Sequence, residues 1–247
     1  MNPIKEIAHR PWPLPARTWI MAQVWQDLLF AHWPVPVETV RLSVPSALEV
    51  DAFDGHAWIG IVPFRMSGVR LRATPAIPWL SAFPELNVRT YVTAGGKSGV
   101  WFYSLDAANS VAVKIARAWF HLPYFRARMR SEDLRGQINY SSQRNHRGAS
   151  FAQLAAQYRP TSAPFMAKPG TLEHFLTERY CLYAMEPGGE ITRGEIHHAP
   201  WNLQLAESEI SRNTMAEAAG FTLPNEKPIL HFSRRQDVIV WSPEVAR

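Results

Sequence analysis

A glutamate, an asparagine, an arginine, a serine and an aspartate can act together if one hairpin folds as its local pattern dictates. The stretch "ELNVRTYVTAGGKSGVWFYSLD" (85–106) alternates polar and apolar residues on both sides of Gly95-Gly96. That is the pattern of two strands joined by a two-residue turn. Pairing Ala94 with Lys97 sets Asn87 opposite Ser104, Glu85 opposite Asp106 and Arg89 opposite Phe102. Glu85, Asn87, Arg89, Ser104 and Asp106 then share one face, and Leu86, Val88, Trp101, Tyr103 and Leu105 form a core face. The assignment rests on register, because a slip of one residue turns a strand over. Directly opposed carboxylates have Cβ atoms about 4.5–5.5 Å apart, where like charges repel. Three environments relieve that. Both acids can sit in water, where repulsion is weak. Asp106 can cap the helix that follows it. Or both can line a pocket, where one holds a raised pKa or pairs with an arginine, Arg65 or Arg89.

Other reactive side chains have simpler readings. His32, in "LLFAHWPVP", is expected as a hydrogen-bonded core histidine. His121 and Tyr124 flank the helix-breaking Pro123; packing accounts for them, and in a pocket they would support Glu85. His197 and His198 are adjacent on a predicted strand and point to opposite faces, so they do not share a metal. Arg193, Glu195 and His197 do share a face, expected to be a solvated edge. Cys181, the single cysteine, is read as a buried inert thiol within a helix. There is no phosphate loop, dinucleotide fingerprint, Gly-x-Ser-x-Gly elbow or His-Glu-x-x-His pair. No cofactor and no metal is expected.

Composition narrows the class. The chain has 247 residues, 47% of them hydrophobic, and suits one domain spanning 1–247 with a substantial core. One cysteine excludes an intrachain disulfide, and with no signal-like N-terminus or membrane-length apolar run the expected location is cytoplasmic. The net charge of +5 comes mostly from scattered arginines. The densest set, Arg126, Arg128 and Arg130, is followed at once by Glu132 and Asp133, so neither a nucleic acid nor a membrane is expected as partner. A homo-oligomer is compatible with the sequence.

The elements that would hold the hairpin follow from periodicity. "WIMAQVWQDLLFAHWPVP" (19–36) fits a buried strand or a short helix, and "VPVETVRLSVP" a short helix closed by Pro45. "LEVDAFDGHAWIGIVPF" predicts a hairpin over 48–53 and 57–66, turned at Asp54-Gly55. The proline-rich 70–84 segment suits a pocket rim or lid. Strands are predicted at 85–93 and 100–105. Ala108, Val111, Ala112, Ile115 and Trp119 then recur at helical spacing. "YFRARMR" and "GQINYSS" alternate as strands, "GTLEHFLTERYCLYA" reads as a helix capped by Thr171, and "ITRGEIHHAPWNLQL" and "PILHFSRRQDVIVW" read as strands. The class is α+β, with an antiparallel sheet curled into a barrel and a few helices outside.

The runs "LLFAHWPVP", "FDGHAWIGIVPFRMSGVR", "FPELNVRTYV" and "GVWFYSLDAANSVAVKIARAWFHLPYF" resemble those of the YqjF-like family of uncharacterised bacterial proteins. The resemblance is strong from residue 19 to about 145 and weaker beyond. It implies the acetoacetate decarboxylase-like fold, a barrel with a central cavity. The decarboxylases form a Schiff base on a lysine just after a Gly-x-Pro turn, and a lysine of that type is activated by a neighbouring cation. The similar place here, "FHLPYF", has Tyr124 and Phe125 after Pro123, and Lys114 lies too early to substitute. The resemblance also sets Glu85 where those enzymes have a pocket glutamate. It favours the pocket reading for Glu85, Asn87 and Arg89, and leaves Asp106 between pocket and cap.

Three functions compete. The first is a small-molecule cavity for a small organic acid or polar metabolite, bound by Glu85, Asn87, Arg89, Ser104, Asp106 and Arg65 without Schiff-base chemistry. The second is a lyase, decarboxylase or hydrolase using Glu85 as acid or base with Tyr124 or His121. The third is a nucleic-acid or protein-binding module using the Arg126–Arg130 strand.

Overall fold

The structure, a computed structural model, describes residues 6–77 and 79–246, excepting the side chains of Ala112, Ile115 and Ala116. Along the chain run β1 (Met21–Pro36), α1 (Val37–Arg41), β2 (Glu49–Val50), β3 (His56–Leu71), β4 (Phe83–Ala94) and β5 (Lys97–Ala107). Then come α2 (Ser110–Phe120), β6 (Tyr124–Leu134), β7 (Gln137–Arg144), β8 (Gln153–Pro160), α3 (Leu172–Thr177) and β9 (Cys181–Met185). The chain finishes with β10 (Ile191–His197), β11 (Gln204–Asn213), β12 (Ile229–Val240) and β13 (Glu244–Val245). No helix among the described residues is long and apolar enough to cross a membrane.

The pairings close on themselves. β12, β1, β3, β4 and β5 form a continuous wall. β9 and β10 bridge its ends on one side, through Val100↔Leu182 to β5 and Ile196↔Val240 to β12. On the other side β6, β7, β8 and β11 arch from β5 to β12. The wall therefore divides two apolar interiors, and its alternating residues serve both. Leu28 and Phe30 enter one, Leu29 and Ala31 the other. Having interior on both faces explains why 19–36 carries no clean alternation of apolar and polar residues.

The closed barrel-like sheet with few helices agrees with expectation at that level, but the sheet is mixed. β5 runs parallel to β6 and to β9. The β5–α2–β6 passage is a parallel crossover, for which the helix supplies the required connection length. The first predicted hairpin is also corrected. Asp54-Gly55 turns as expected, with positive φ at both residues and Phe53 bridged to His56. Beyond that bridge the arms separate, and β2 pairs with β4 through Val50↔Val92.

Cys181 lies on a strand, not in a helix. Thr171 does cap α3, accepting from the His174 amide at 3.4 Å, but the helix ends at Thr177. From Cys181 the residues alternate between the two interiors, a period that a short apolar run hides. In α2 the expected inner residues Val111 and Trp119 are exposed, while Val113 and Phe120 are buried. The expectations for the Ala112 and Ile115 side chains lie outside the described residues.

Ring closure demands a glycine at position 99. A Cβ there would stand 2.7 Å from Cys181 Sγ and 2.8 Å from the Cys181 carbonyl oxygen. Gly99→Ala should therefore lower stability by about 1–3 kcal/mol, read as a lower denaturant midpoint. An unchanged midpoint would contradict the tight β5–β9 contact.

Candidate functional site

A cavity of about 590 Å³ occupies the ring formed by the wall with β9 and β10. Its sides are mainly apolar: Trp25 and Phe30 from β1, Phe64 from β3, Phe102 and Leu105 from β5, Phe120 from α2. Thr74, Pro75, Ile77 and Leu80 contribute from the loop between β3 and β4, in the place expected of a rim. Pro78 of that loop lies outside the described residues.

Three polar side chains of β4 reach this cavity together, Glu85, Asn87 and Arg89. Glu85 is 2% exposed. Its Oε2 accepts from the Tyr124 hydroxyl at 3.0 Å, while its backbone carbonyl accepts from the Tyr140 hydroxyl at 2.7 Å. Burial pushes the Glu85 carboxyl from 4.5 up to about 8, against the opposing pull of the Tyr124 hydrogen bond. Glu85 is thus mainly a neutral acid at pH 7. Burial, reinforced by Glu85, holds the Tyr124 phenol well above its ordinary range.

Asn87 is 5% exposed, and its Oδ1 has no hydrogen-bond partner. Arg89 donates through Nη2 to the Leu176 carbonyl at 3.2 Å, and its buried Nε has no partner. The same carbonyl, on α3, accepts from the Tyr91 hydroxyl at 2.7 Å. Tyr91 in turn lies 2.6 Å from His32 Nε2, so with the hydroxyl proton committed to Leu176 the imidazole donates. Burial first, then Arg89 and His231, hold the His32 pKa well below its usual value. The expected core histidine thus helps to fix the strand that carries Arg89. Trp201 also lines the cavity with a buried Nε1 that lacks a partner.

Ser104, Asp106, Arg65 and His121 are not in the cavity wall. The predicted register holds from Ala94↔Lys97 to Arg89↔Phe102, then breaks. Val88 pairs with Ser104, so Tyr103 is an extra residue in β5. The bulge turns the rest of β5 over. Leu105 enters the cavity wall, and Asp106 sits opposite Leu86 on the far side. There Asp106 takes Arg144 Nε at 3.0 and 3.1 Å. Burial raises the Asp106 pKa to about 6 while Arg144 opposes the rise, so the pair is ionised at neutral pH. Asp106 is neither a pocket acid nor a helix cap; Asn109 Oδ1 accepts from the Val111 amide instead.

Arg65 points away between the cavity residues Phe64 and Met66, 3.6 Å from Asp27. His121 turns out at positive φ and meets Glu186 at 2.6 Å. The expected solvated edge is buried. Glu195 is enclosed by Arg10, Lys97 and Arg193, and takes the Trp12 indole N–H at 2.8 Å. Arg10, Trp12 and Lys97, distant in sequence, supply most of those partners, which strand alternation could not reveal. Cys181 is buried, and burial pushes its thiol up to about 12. Sequence reasoning missed Trp201, which follows β10 in an irregular segment with no periodicity to place it. Among the described residues no His, Cys, Asp and Glu cluster could hold a metal ion.

The model of DUF2071, described as an uncharacterized conserved protein, matches residues 22–237. The chain is 51% identical to the uncharacterized protein YqjF of Bacillus subtilis (strain 168), over 92% of this chain and 93% of that one. Among solved structures it is similar to acetoacetate decarboxylase from Legionella pneumophila, with TM-score 0.62 and 11% identity over 97% of this chain and 93% of that chain. It is also similar to the enduracididine biosynthesis enzyme MppR complexed with pyruvate, with TM-score 0.61 and 10% identity over 93% and 91% of the two chains. These likenesses show an acetoacetate decarboxylase-like fold.

Two outcomes follow from the site geometry. Between about pH 4.5 and 8 the folded protein keeps the Glu85 proton that the unfolded chain releases, so this group makes stability fall as pH rises. Glu85→Gln should remove that contribution, which approaches ~1.4 kcal/mol per pH unit; identical pH–stability slopes in the two proteins would contradict it. Arg144→Ala should cost about 3–5 kcal/mol by stranding the buried Asp106. Arg65→Ala, on an exposed side chain, should stay within about 0.5 kcal/mol. Equal denaturant midpoints for these two variants would contradict the assignment of faces.

Proposed function

This chain belongs to the DUF2071 family of uncharacterized conserved proteins, and from its own cavity we propose that it binds an organic acid inside the barrel, without forming a Schiff base. Arg89 carries the reading. It is a cation in the wall of a largely apolar cavity, with a buried Nε lacking a partner and no ion pair among the described residues. A carboxylate is the group whose geometry matches a guanidinium edge. The neutral Glu85 carboxyl can donate to the same ligand, and Asn87 can accept or, with its amide turned, donate. No lysine is among the described cavity residues, and Lys114 is exposed on α2. Of the neighbours in fold, one is named a decarboxylase of acetoacetate and one holds pyruvate; both names agree with an acid ligand.

One observation favours a second reading, a lyase or decarboxylase using Glu85 as general acid. A buried carboxyl titrating near 8, held by Tyr124, is suited to proton transfer at neutral pH. The arginines of β6 give less support to a nucleic-acid site, since Arg130 pairs with Glu132 at 2.7 Å and Arg126 bonds to Asn145 at 3.2 Å.

Calorimetry with a panel of carboxylic acids and their matched amides tests the reading. The acids should bind better than the amides, and Arg89→Leu should weaken the acids by roughly 10- to 100-fold, the worth of a hydrogen bond to a charged group. Equal binding of acids and amides, or an indifferent Arg89→Leu, would reject an acid site. Borohydride trapping with acetoacetate or pyruvate should leave the mass unchanged.

A further inference from the structure

Several polar groups of the cavity lie at its buried end. Glu85, Asn87 and Trp201 are each no more than 5% exposed. The opposite end is mainly apolar, with the exposed Arg70 and Thr74 also in its lining. Leu71, Ile77 and Trp119 line the cavity and are also 46%, 47% and 44% exposed. An isolated exposed apolar side chain needs no explanation. Three from separate elements, lining one cavity and all partly exposed, mark its opening to solvent.

Size points the same way. Cavities of roughly 300–1,000 Å³ enclose drug-sized molecules, and about 590 Å³ is far more than a three- or four-carbon acid fills. A short acid at Arg89 would leave Phe64, Phe83 and Leu122 facing water or empty space. A hydroxyl-rich metabolite would set polar groups against the same side chains with nothing to bond them, which is costly.

Resting on the reading of the cavity as an acid site, we infer that its ligand is an amphipathic monocarboxylic acid, with the carboxyl group at Arg89 and Asn87 and an unbranched or lightly branched hydrocarbon tail leading to the Leu71–Ile77–Trp119 mouth. A carbon count on the order of ten suits the volume range. The apolar walls supply affinity in proportion to the tail they cover, and the polar end fixes the orientation.

Calorimetry with butyrate, hexanoate, octanoate, decanoate and dodecanoate, each below its micellar concentration, tests the inference. Affinity should rise roughly three- to fourfold per added methylene until the cavity is filled. Ile77→Asp, at a half-exposed position that folding tolerates, should weaken decanoate about tenfold and leave butyrate unchanged. Leu80→Asp should act in the same direction, and circular dichroism of both variants verifies folding. Decanol should bind at least tenfold less tightly than decanoate, since it lacks the carboxylate for Arg89. A flat series, or butyrate binding as tightly as decanoate, would overturn the amphipathic ligand and leave the acid site standing. Decanol matching decanoate would overturn the carboxyl placement. Absence of binding by any acid would overturn both the inference and the acid site beneath it.

Discussion

The wall formed by β12, β1, β3, β4 and β5 has protein interior on both of its faces, and a side chain buried on either face has no route to water. In β4, Leu86 and Val88 pack into one interior, while Glu85 and Asn87 meet the other. A polar group in such a wall must find a partner inside, change its charge state, or wait for a ligand. The first two are seen here. Asp106 finds Arg144, and Glu195 gathers Arg10, Lys97 and Arg193. Glu85 keeps its proton. Asn87 Oδ1 and Arg89 Nε are left without partners on the cavity side.

One extra residue decides how these outcomes are distributed. Were β5 regular, Asp106 would share the cavity with Glu85, and two buried acids would compete for Arg89. The bulge at Tyr103 sends Asp106 through the wall to Arg144 and brings Leu105 in its place. Among the described residues the cavity wall is left with one carboxyl, Glu85, and β4 contributes one arginine without an ion pair. That separation leaves Glu85 and Arg89 in one space without a second β-hairpin acid beside them.

Local pattern revealed many of the elements, though not β8 or β9, and one half of the site. The alternation of 85–92 placed Glu85, Asn87 and Arg89 on a common face, and Gly95-Gly96 fixed the first pairs of the hairpin. The DG turn at 54–55 was equally legible, yet its arms do not pair. A turn signal specifies four residues, whereas strand pairing is settled by which neighbour covers each face. The bulge left no mark in composition, because Phe102, Tyr103 and Ser104 suit either register. Arg144 and Glu195 show the same limit: Asp106 lies 38 residues from the first and Arg10 185 residues from the second, across the closure of the sheet. The mixed strand directions arise likewise from β5 serving three neighbours, β4, β6 and β9.

The electrostatics of the cavity rest on Glu85 being a neutral acid inside it. Infrared difference spectroscopy between the protein and Glu85→Gln at pH 7 reads that state directly. A protonated-carboxyl C=O stretch present in the unmodified protein, missing in the variant and lost as pH rises past about 8 is the expected result. A difference spectrum at pH 7 showing only carboxylate bands for Glu85 would place an ionised group there and contradict the description of the cavity.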